Sequence, residues 1–218
     1  MARAAKITAI RFISLGKYSK NSAIFTADMK LVFATNNLHK VREASEILGE
    51  GFEIVTPAQL GITEDIPETG NSFRDNSAQK ADFIYERTGL DCFADDSGLE
   101  VDVLGGAPGI ETARYAGLAK DPAENIAKLL REMGPATNRK ARFRTCVTLI
   151  MGGKKHFFDG VMEGSIGTSK YGKGGFGYDP VFIPEGYRVT AAQLSEDEKN
   201  AISHRGKALR AMAAFLAE

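Results

Sequence analysis

Apolar residues along this chain fall into short blocks separated by polar turns, and the spacing inside each block names its element. The unbroken run at 31–34 predicts a buried strand. A polar turn over 35–40 leads to a helix over 41–48 closed by Gly49. A second strand is expected at 52–55, followed by an irregular, acid-rich connection over 56–70. Phe73, Ser77, Ala81 and Ile84 recur on one face of a helix over 73–88, which Gly89 ends. Residues 90–94 read as a strand that stops at a turn carrying Asp95-Asp96-Ser97-Gly98. Alternation predicts a half-buried strand at 100–104, and a glycine-rich loop spans 105–109. Asp121 caps, and Pro122 opens, a helix reaching 133. In the strand at 141–151, Phe143, Thr145, Val147 and Leu149 share one face and Arg142, Arg144, Cys146 and Thr148 the other. Gly152-Gly153 makes a hairpin into 154–158. Separate strands are expected at 161–166 and 181–183, on either side of a glycine-rich stretch at 171–179. Ser195 and Glu198 form a capping box for the last helix. Parallel βα units come first and hairpins later. That order predicts an α/β fold: a mixed, twisted central sheet with flanking helices, split into two lobes.

The 218 residues suit one large α/β domain, or a body with a smaller lobe. Lys plus Arg and Asp plus Glu both number 28, and this zero net charge argues against bulk electrostatic binding to nucleic acid. The one basic cluster, Arg139, Lys140, Arg142 and Arg144 with Lys154 and Lys155, is read as the wet face of a sheet. Cys92 and Cys146 lack any CxxC or Cys/His pattern and are expected as free thiols in a reducing cytosol. No apolar run is long enough to span a bilayer. Residues 1–28 carry Arg3, Lys6, Arg11, Lys17 and Lys20 against the single acid Asp28. This segment resembles an organelle transit peptide, but an upstream start codon is the simpler explanation. The domain is then expected to occupy residues 29–218, with 1–28 dispensable.

Several clusters could carry chemistry. The adjacent acids Asp95 and Asp96 repel each other, and a Mg²⁺ held at a strand end would relieve that repulsion. An Asp-Asp-Ser-Gly turn is the plainer alternative. Thr35, Asn36, Asn37 and Lys40 stand where a strand meets a helix, a place suited to phosphate. An ordinary helix cap explains them equally well. Asn76 and Lys80 share a helix face beside the apolar one, from which Lys80 could reach a phosphate at the strand ends; a solvated lysine is the commoner alternative. Glu68, just before that helix, could supply another carboxylate. Phe176, Gly177, Tyr178 and Asp179 mix a flexible backbone with rings able to stack on a base. Lys199, His204 and Arg205 cluster where Gly206 disfavours a continuous helix, and they suit an acceptor-rich ligand such as a 6-oxo purine.

Together these stretches resemble the inosine/xanthosine triphosphatase family of nucleoside triphosphate pyrophosphatases. The resemblance covers 30–218 and is carried by long motifs in one order. They are Thr35-x-Asn37-x-x-Lys40, Ala94-Asp95-Asp96-Ser97-Gly98-Leu99, Leu104-Gly105-Gly106-Ala107-Pro108-Gly109, Thr112-Ala113-Arg114-Tyr115, Gly174-Gly175-Phe176-Gly177-Tyr178-Asp179-Pro180 and Ile202-Ser203-His204-Arg205-Gly206. It implies a two-lobed, Maf-like architecture with the active site in the cleft. It also implies Mg²⁺-dependent hydrolysis of ITP, dITP and XTP to the monophosphate and pyrophosphate, by a cytoplasmic homodimer. Asp96 would be general base and metal ligand, Glu68 the second metal ligand, and Asp95 and Asn76 supporting residues. Thr35, Asn36, Asn37, Lys40 and Lys80 would hold phosphates, with Ser97 on the substrate. Phe176, Gly177, Tyr178 and Asp179 would frame the base, and Lys199, His204 and Arg205 would read its keto edge. On this view truncating Lys199 weakens substrate binding more than stability. A Maf-like enzyme of other base preference and a non-catalytic nucleotide- or nucleic-acid-binding protein are the competing readings.

Overall fold

The structure, a computed structural model, describes residues 29–218, so the expectation for 1–28 lies outside the described residues. Six strands form one mixed sheet in the order β2-β1-β3-β4-β5-β6. They are β1 (Met29–Phe33), β2 (Phe52–Val55), β3 (Cys92–Val101), β4 (Lys140–Met151), β5 (Lys154–Ile166) and β6 (Phe182–Pro184). The helices are α1 (Leu38–Leu48), α2 (Phe73–Thr88), α3 (Pro122–Met133), α4 (Glu196–Ile202) and α5 (His204–Leu216). β1 pairs in parallel with β2 and β3, and β3, β4, β5 and β6 pair antiparallel.

Strand alternation distributes the core. Leu31, Phe33, Phe93, Val147 and Leu149 pack against α1 and α5 on one face. Val32, Ala34, Cys92, Ala94 and Ile150 pack against Ala81 and Ile84 of α2 on the other. From Thr145 to Ile150 β4 is therefore buried on both sides, and the polar/apolar alternation holds only in its first half. A separate apolar cluster joins Leu99, Val101, Phe143, Met162 and Phe182 to Ile126 and Leu129 of α3. This cluster is the second lobe. β3, β4 and β5 run through both lobes, which makes the link between them a paired sheet.

Several boundaries differ from expectation. β3 does not stop before the acid pair: it pairs with β4 from Cys92↔Ile150 to Val101↔Ala141, so Asp95 and Asp96 sit in mid-strand. Small Ser97 and Gly98 allow it, since a Cβ on Gly98 would lie 2.2 Å from the Gly109 carbonyl oxygen. The strand expected at 100–104 ends at Val101 and turns into a 3-10 helix, Asp102–Leu104. The two strands expected at 154–158 and 161–166 are one, because Gly160 continues the ladder opposite Thr145. The last helix breaks at Ser203, which ends α4 and caps α5 through its hydroxyl to the Gly206 amide. The first helix starts earlier than expected, with Asn37 accepting from the His39 and Lys40 amides. The capping box of Ser195 and Glu198 and the Asp121-Pro122 start form as expected.

The basic strand meets carboxylates. Arg142 reaches Asp102 and Glu163, Arg144 reaches Glu100, and Lys155 reaches Asp82. Cys92 and Cys146 are buried and free, their thiols pushed up to about 12 and 11 by burial.

At Gly160 the start of α5 lies close against the sheet: a Cβ there would lie 2.0 Å from the His204 carbonyl oxygen. Gly160→Ala is expected to push α5 off the sheet and cost about 1–3 kcal/mol, the range for overpacked cores. Urea denaturation of the variant checks this, with a midpoint clearly below that of the parent chain.

Candidate active site

A cleft of about 510 Å³ opens between the lobes, where β1 ends and β3 continues beside β4. Crevices beyond the carboxyl ends of parallel strands are the usual ligand sites of open α/β sheets. Its inner floor is built by β3. Successive side chains on a strand point to opposite faces. Asp95 therefore faces α1 and α5, and Asp96 faces α2. Each acid has its own cations.

On the first face, Asp95 Oδ1 accepts from Lys40 Nζ at 2.9 Å, and Oδ2 accepts from Arg205 Nε at 3.0 Å and Ser97 Oγ at 2.9 Å. Burial alone would raise its pKa, but Lys40, Arg205 and Lys80 together hold the carboxyl well below the usual carboxylate range. Asp95 is thus a permanent anion that fixes two cations. On the second face, Asp96 Oδ1 accepts from Lys80 Nζ at 3.1 Å and Oδ2 from Asn76 Nδ2 at 3.1 Å. Lys80 also donates to Glu68, which the loop before α2 delivers. Burial pushes the Asp96 carboxyl above the usual range, against the pull of Lys80 and Lys40. Burial acts the same way on the more exposed Glu68, but there Lys80 prevails and the pKa falls.

The wall beyond Asp95 is a second charge network. Lys199 donates to Glu43 at 2.9 Å and to Asp179 at 2.8 Å, and Arg205 reaches Glu43 as well as Asp95. Burial disfavours the charge on Lys199, yet Asp179 and Glu43 raise its pKa overall. Asp179 Oδ2 also accepts from the Phe176 amide at 2.8 Å. That grip requires Gly175, whose Cβ would lie 2.2 Å from the same oxygen. The Phe176 ring stacks on His39 at 5.8 Å and lies 4.9 Å from the Lys199 ammonium, a cation–π distance. His204 stacks on Phe143 at 5.0 Å, and its buried Nδ1 has no partner. Burial, then the Arg205 and Lys199 charges, keep its pKa well below the ordinary histidine value, so the ring is neutral.

Thr35, Asn36, Asn37, Lys40, Glu68, Lys80, Asp96, Ser97, Phe176, Gly177, Tyr178, Asp179, Lys199, His204 and Arg205 all line this cleft. Asp95 and Asn76 stand behind it, holding lining residues by hydrogen bonds. Three expectations change. Asp95 and Asp96 cannot share one cation, because they face apart. The amides of His39 and Lys40 are taken by the Asn37 side chain, so any anion there meets side chains before those amides. Lys199 also proves structural: truncating it would strand Glu43 and Asp179, a loss of order 3–5 kcal/mol for a broken buried pair. Glu43 was not foreseen. Its only signal was a carboxylate one turn beyond Lys40 on the inward face of α1. Arg114 and Lys120, from the far lobe, also line the cleft and were not singled out.

The described residues contain no group of three or more His, Cys, Asp or Glu side chains able to cage a metal. Glu68 and Asp96 do converge on one ammonium at the cleft floor. Two carboxylates fit Mg²⁺, which usually takes one or two protein carboxylates and completes its shell with substrate phosphates and water.

The family model of the Ham1 family matches residues 31–215. A dITP/XTP pyrophosphatase of Flavobacterium psychrophilum is 49% identical over 187 residues, covering 86% of this chain and 98% of its own length. One from Porphyromonas gingivalis is 49% identical over 188 residues, 86% and 97% of the two chains. Among solved structures, the Staphylococcus aureus Ham1 protein superposes with a TM-score of 0.80 at 37% identity, over 87% of this chain and 98% of that one. A nucleoside-triphosphatase / dITP/XTP pyrophosphatase from Mycobacterium abscessus gives 0.70 at 42% identity, over 87% and 100%. With a fold and nearly its whole described length in common with these proteins, the chain belongs to the Ham1 family.

Proposed function

We propose that this chain hydrolyses deaminated purine nucleoside triphosphates, ITP, dITP and XTP, to the monophosphate and pyrophosphate. One observation carries the reading. Glu68 and Asp96 meet at a single cationic point on the cleft floor, one network away from a stacking ring and three buried basic side chains. Relatives named dITP/XTP pyrophosphatases match nearly end to end.

The chemistry follows from the electrostatics. A water oxygen attacks the α-phosphorus and passes a proton to Asp96. The bond from that phosphorus to the bridging oxygen breaks, and its electron pair leaves with pyrophosphate. Asn76 holds Oδ2 of Asp96 and Lys80 holds Oδ1, which fixes the carboxylate at the cleft floor. A raised pKa suits Asp96 to accept a proton, as a base must. Glu68 and Asp96 would hold Mg²⁺, which when bound offsets phosphate charge and polarises the phosphoryl group. Lys40 and Lys80 stand where charge develops on the oxygens. At the base end Lys199 and Arg205 present only donors, which match a 6-keto oxygen and leave a 6-amino group unpaired. A site built to hydrogen-bond can reject the wrong partner by about 10⁴-fold or more. A homodimer acting in the cytoplasm belongs to the same proposal, on the strength of the family resemblance.

Pyrophosphate release from ITP, measured with Mg²⁺ and after chelation, tests the activity. Release is expected only with the ion, and a chain inert toward ITP in both conditions refutes the reading. Asp96→Asn should keep the fold by circular dichroism and lose about 10²–10⁴-fold in kcat. Asp96 must be ionised to act, so activity should fall on acidification. The pH profile of kcat/KM checks this: its acid limb should vanish from the residual rate of Asp96→Asn. Lys199→Ala should raise KM for ITP and lower the thermal midpoint together, as calorimetry and kinetics on one preparation would reveal.

A further inference from the structure

The inner wall of the cleft cannot hold a polyphosphate on its own charges. Lys40, Lys80, Lys199 and Arg205 are each already paired with buried or half-buried carboxylates. Those carboxylates, Glu43, Glu68, Asp95, Asp96 and Asp179, outnumber them by one. A triphosphate brings about four more negative charges, and a divalent ion offsets two. Binding therefore needs cations from elsewhere.

The far lobe has two at the cleft. Arg114 is held by Glu111 in an exposed i,i+3 pair, the kind that contributes little and yields readily. Lys120 makes no ion pair among the described residues, alone among the cleft-lining lysines and arginines. Its backbone is also unusual: φ is +54°, the one left-handed non-glycine among the described residues. The turn is closed by the Lys120 amide donating to the Gly117 carbonyl at 3.2 Å. A lysine gains nothing locally from that conformation, which glycine or asparagine would adopt more easily. Backbone strain of this kind collects at ligand clamps. Lys120 lies toward the acid end of the cleft, for its charge acts on Glu68, and that of Arg114 on Glu68 and Asp96. Asp179 and Glu43, at the base end, are governed by Lys199 and Arg205.

We infer that Lys120, with Arg114 beside it, is a clamp of the far lobe for the two terminal phosphates, the part of the substrate that departs as pyrophosphate. The inference rests on the pyrophosphatase reading above. It deepens that reading by dividing the labour: the inner wall fixes base and α-phosphate, and the opposite lobe captures the leaving group.

Product inhibition separates the two ends. The probes are inorganic pyrophosphate and inosine monophosphate, each titrated against Mg²⁺-dependent ITP hydrolysis by the full chain. Lys120→Asn keeps a residue at ease with positive φ and removes the charge. It should weaken inhibition by pyrophosphate about tenfold, the scale of one charge-assisted hydrogen bond, and raise KM for ITP. Inhibition by the monophosphate should stay within about twofold, the thermal midpoint should not fall, and Lys120→Arg should restore pyrophosphate inhibition. Unchanged pyrophosphate inhibition in Lys120→Asn overturns the clamp, as does an equal loss for both products. A parent chain that releases no pyrophosphate from ITP overturns the reading beneath it instead.

Discussion

The site depends on the two-residue period of one strand. Because β3 continues through Asp95 and Asp96, neighbouring acids are turned to opposite faces of the sheet, and their repulsion is relieved by separation rather than by a shared ion. Each face then has its own helices to supply counter-charge. Asp95 takes Lys40 from α1 and Arg205 from α5, while Asp96 takes Lys80 and Asn76 from α2. The consequence is two carboxylates of the same chemical type in different states. One is pinned as an anion and serves as an anchor. The other is desolvated, raised in pKa and open to the cleft. Adjacent in sequence, they are assigned different work by environment alone.

The same arrangement makes the cleft a chain of linked charges. Arg205 joins Asp95 to Glu43, Glu43 joins Arg205 to Lys199, and Lys199 joins Glu43 to Asp179. Burial leaves none of these groups free to go unpaired. The network therefore couples the base-reading wall to the strand that carries Asp96, and rigidity is its product. Cations held this tightly present donors at fixed positions, which is what discrimination between a keto and an amino group needs. They have little charge left for a polyanion, so the opposite lobe matters.

Much of this was legible in the chain. The period of Phe73, Ser77, Ala81 and Ile84 placed Asn76 and Lys80 beside the apolar face of α2, but it took the structure to show that both are buried. Asp121-Pro122 and Ser195-x-x-Glu198 named two helix starts from capping chemistry alone. Two of the misreadings share one cause. Gly98 and Gly160 looked like interruptions, because glycine and small polar residues punctuate turns. In the folded chain both lie inside strands, at points where other backbone approaches within the space of a methyl group. Local pattern cannot distinguish a glycine that bends the chain from one that makes room for a neighbour.

The sequence by itself determined most of the elements and the residue types gathered for phosphate, metal and purine chemistry, since capping, periodicity and motif spacing are local properties. Only the tertiary structure decided which charges meet. Lys199 lies 156 positions from Glu43 and Arg205 lies 110 from Asp95, so no local rule links them. Whether a lysine is a free ligand hook or a buried counter-ion, and whether an aspartate is an anchor or a base, depends on desolvation and on partners brought from distant segments. Those are set when the helices close over the sheet.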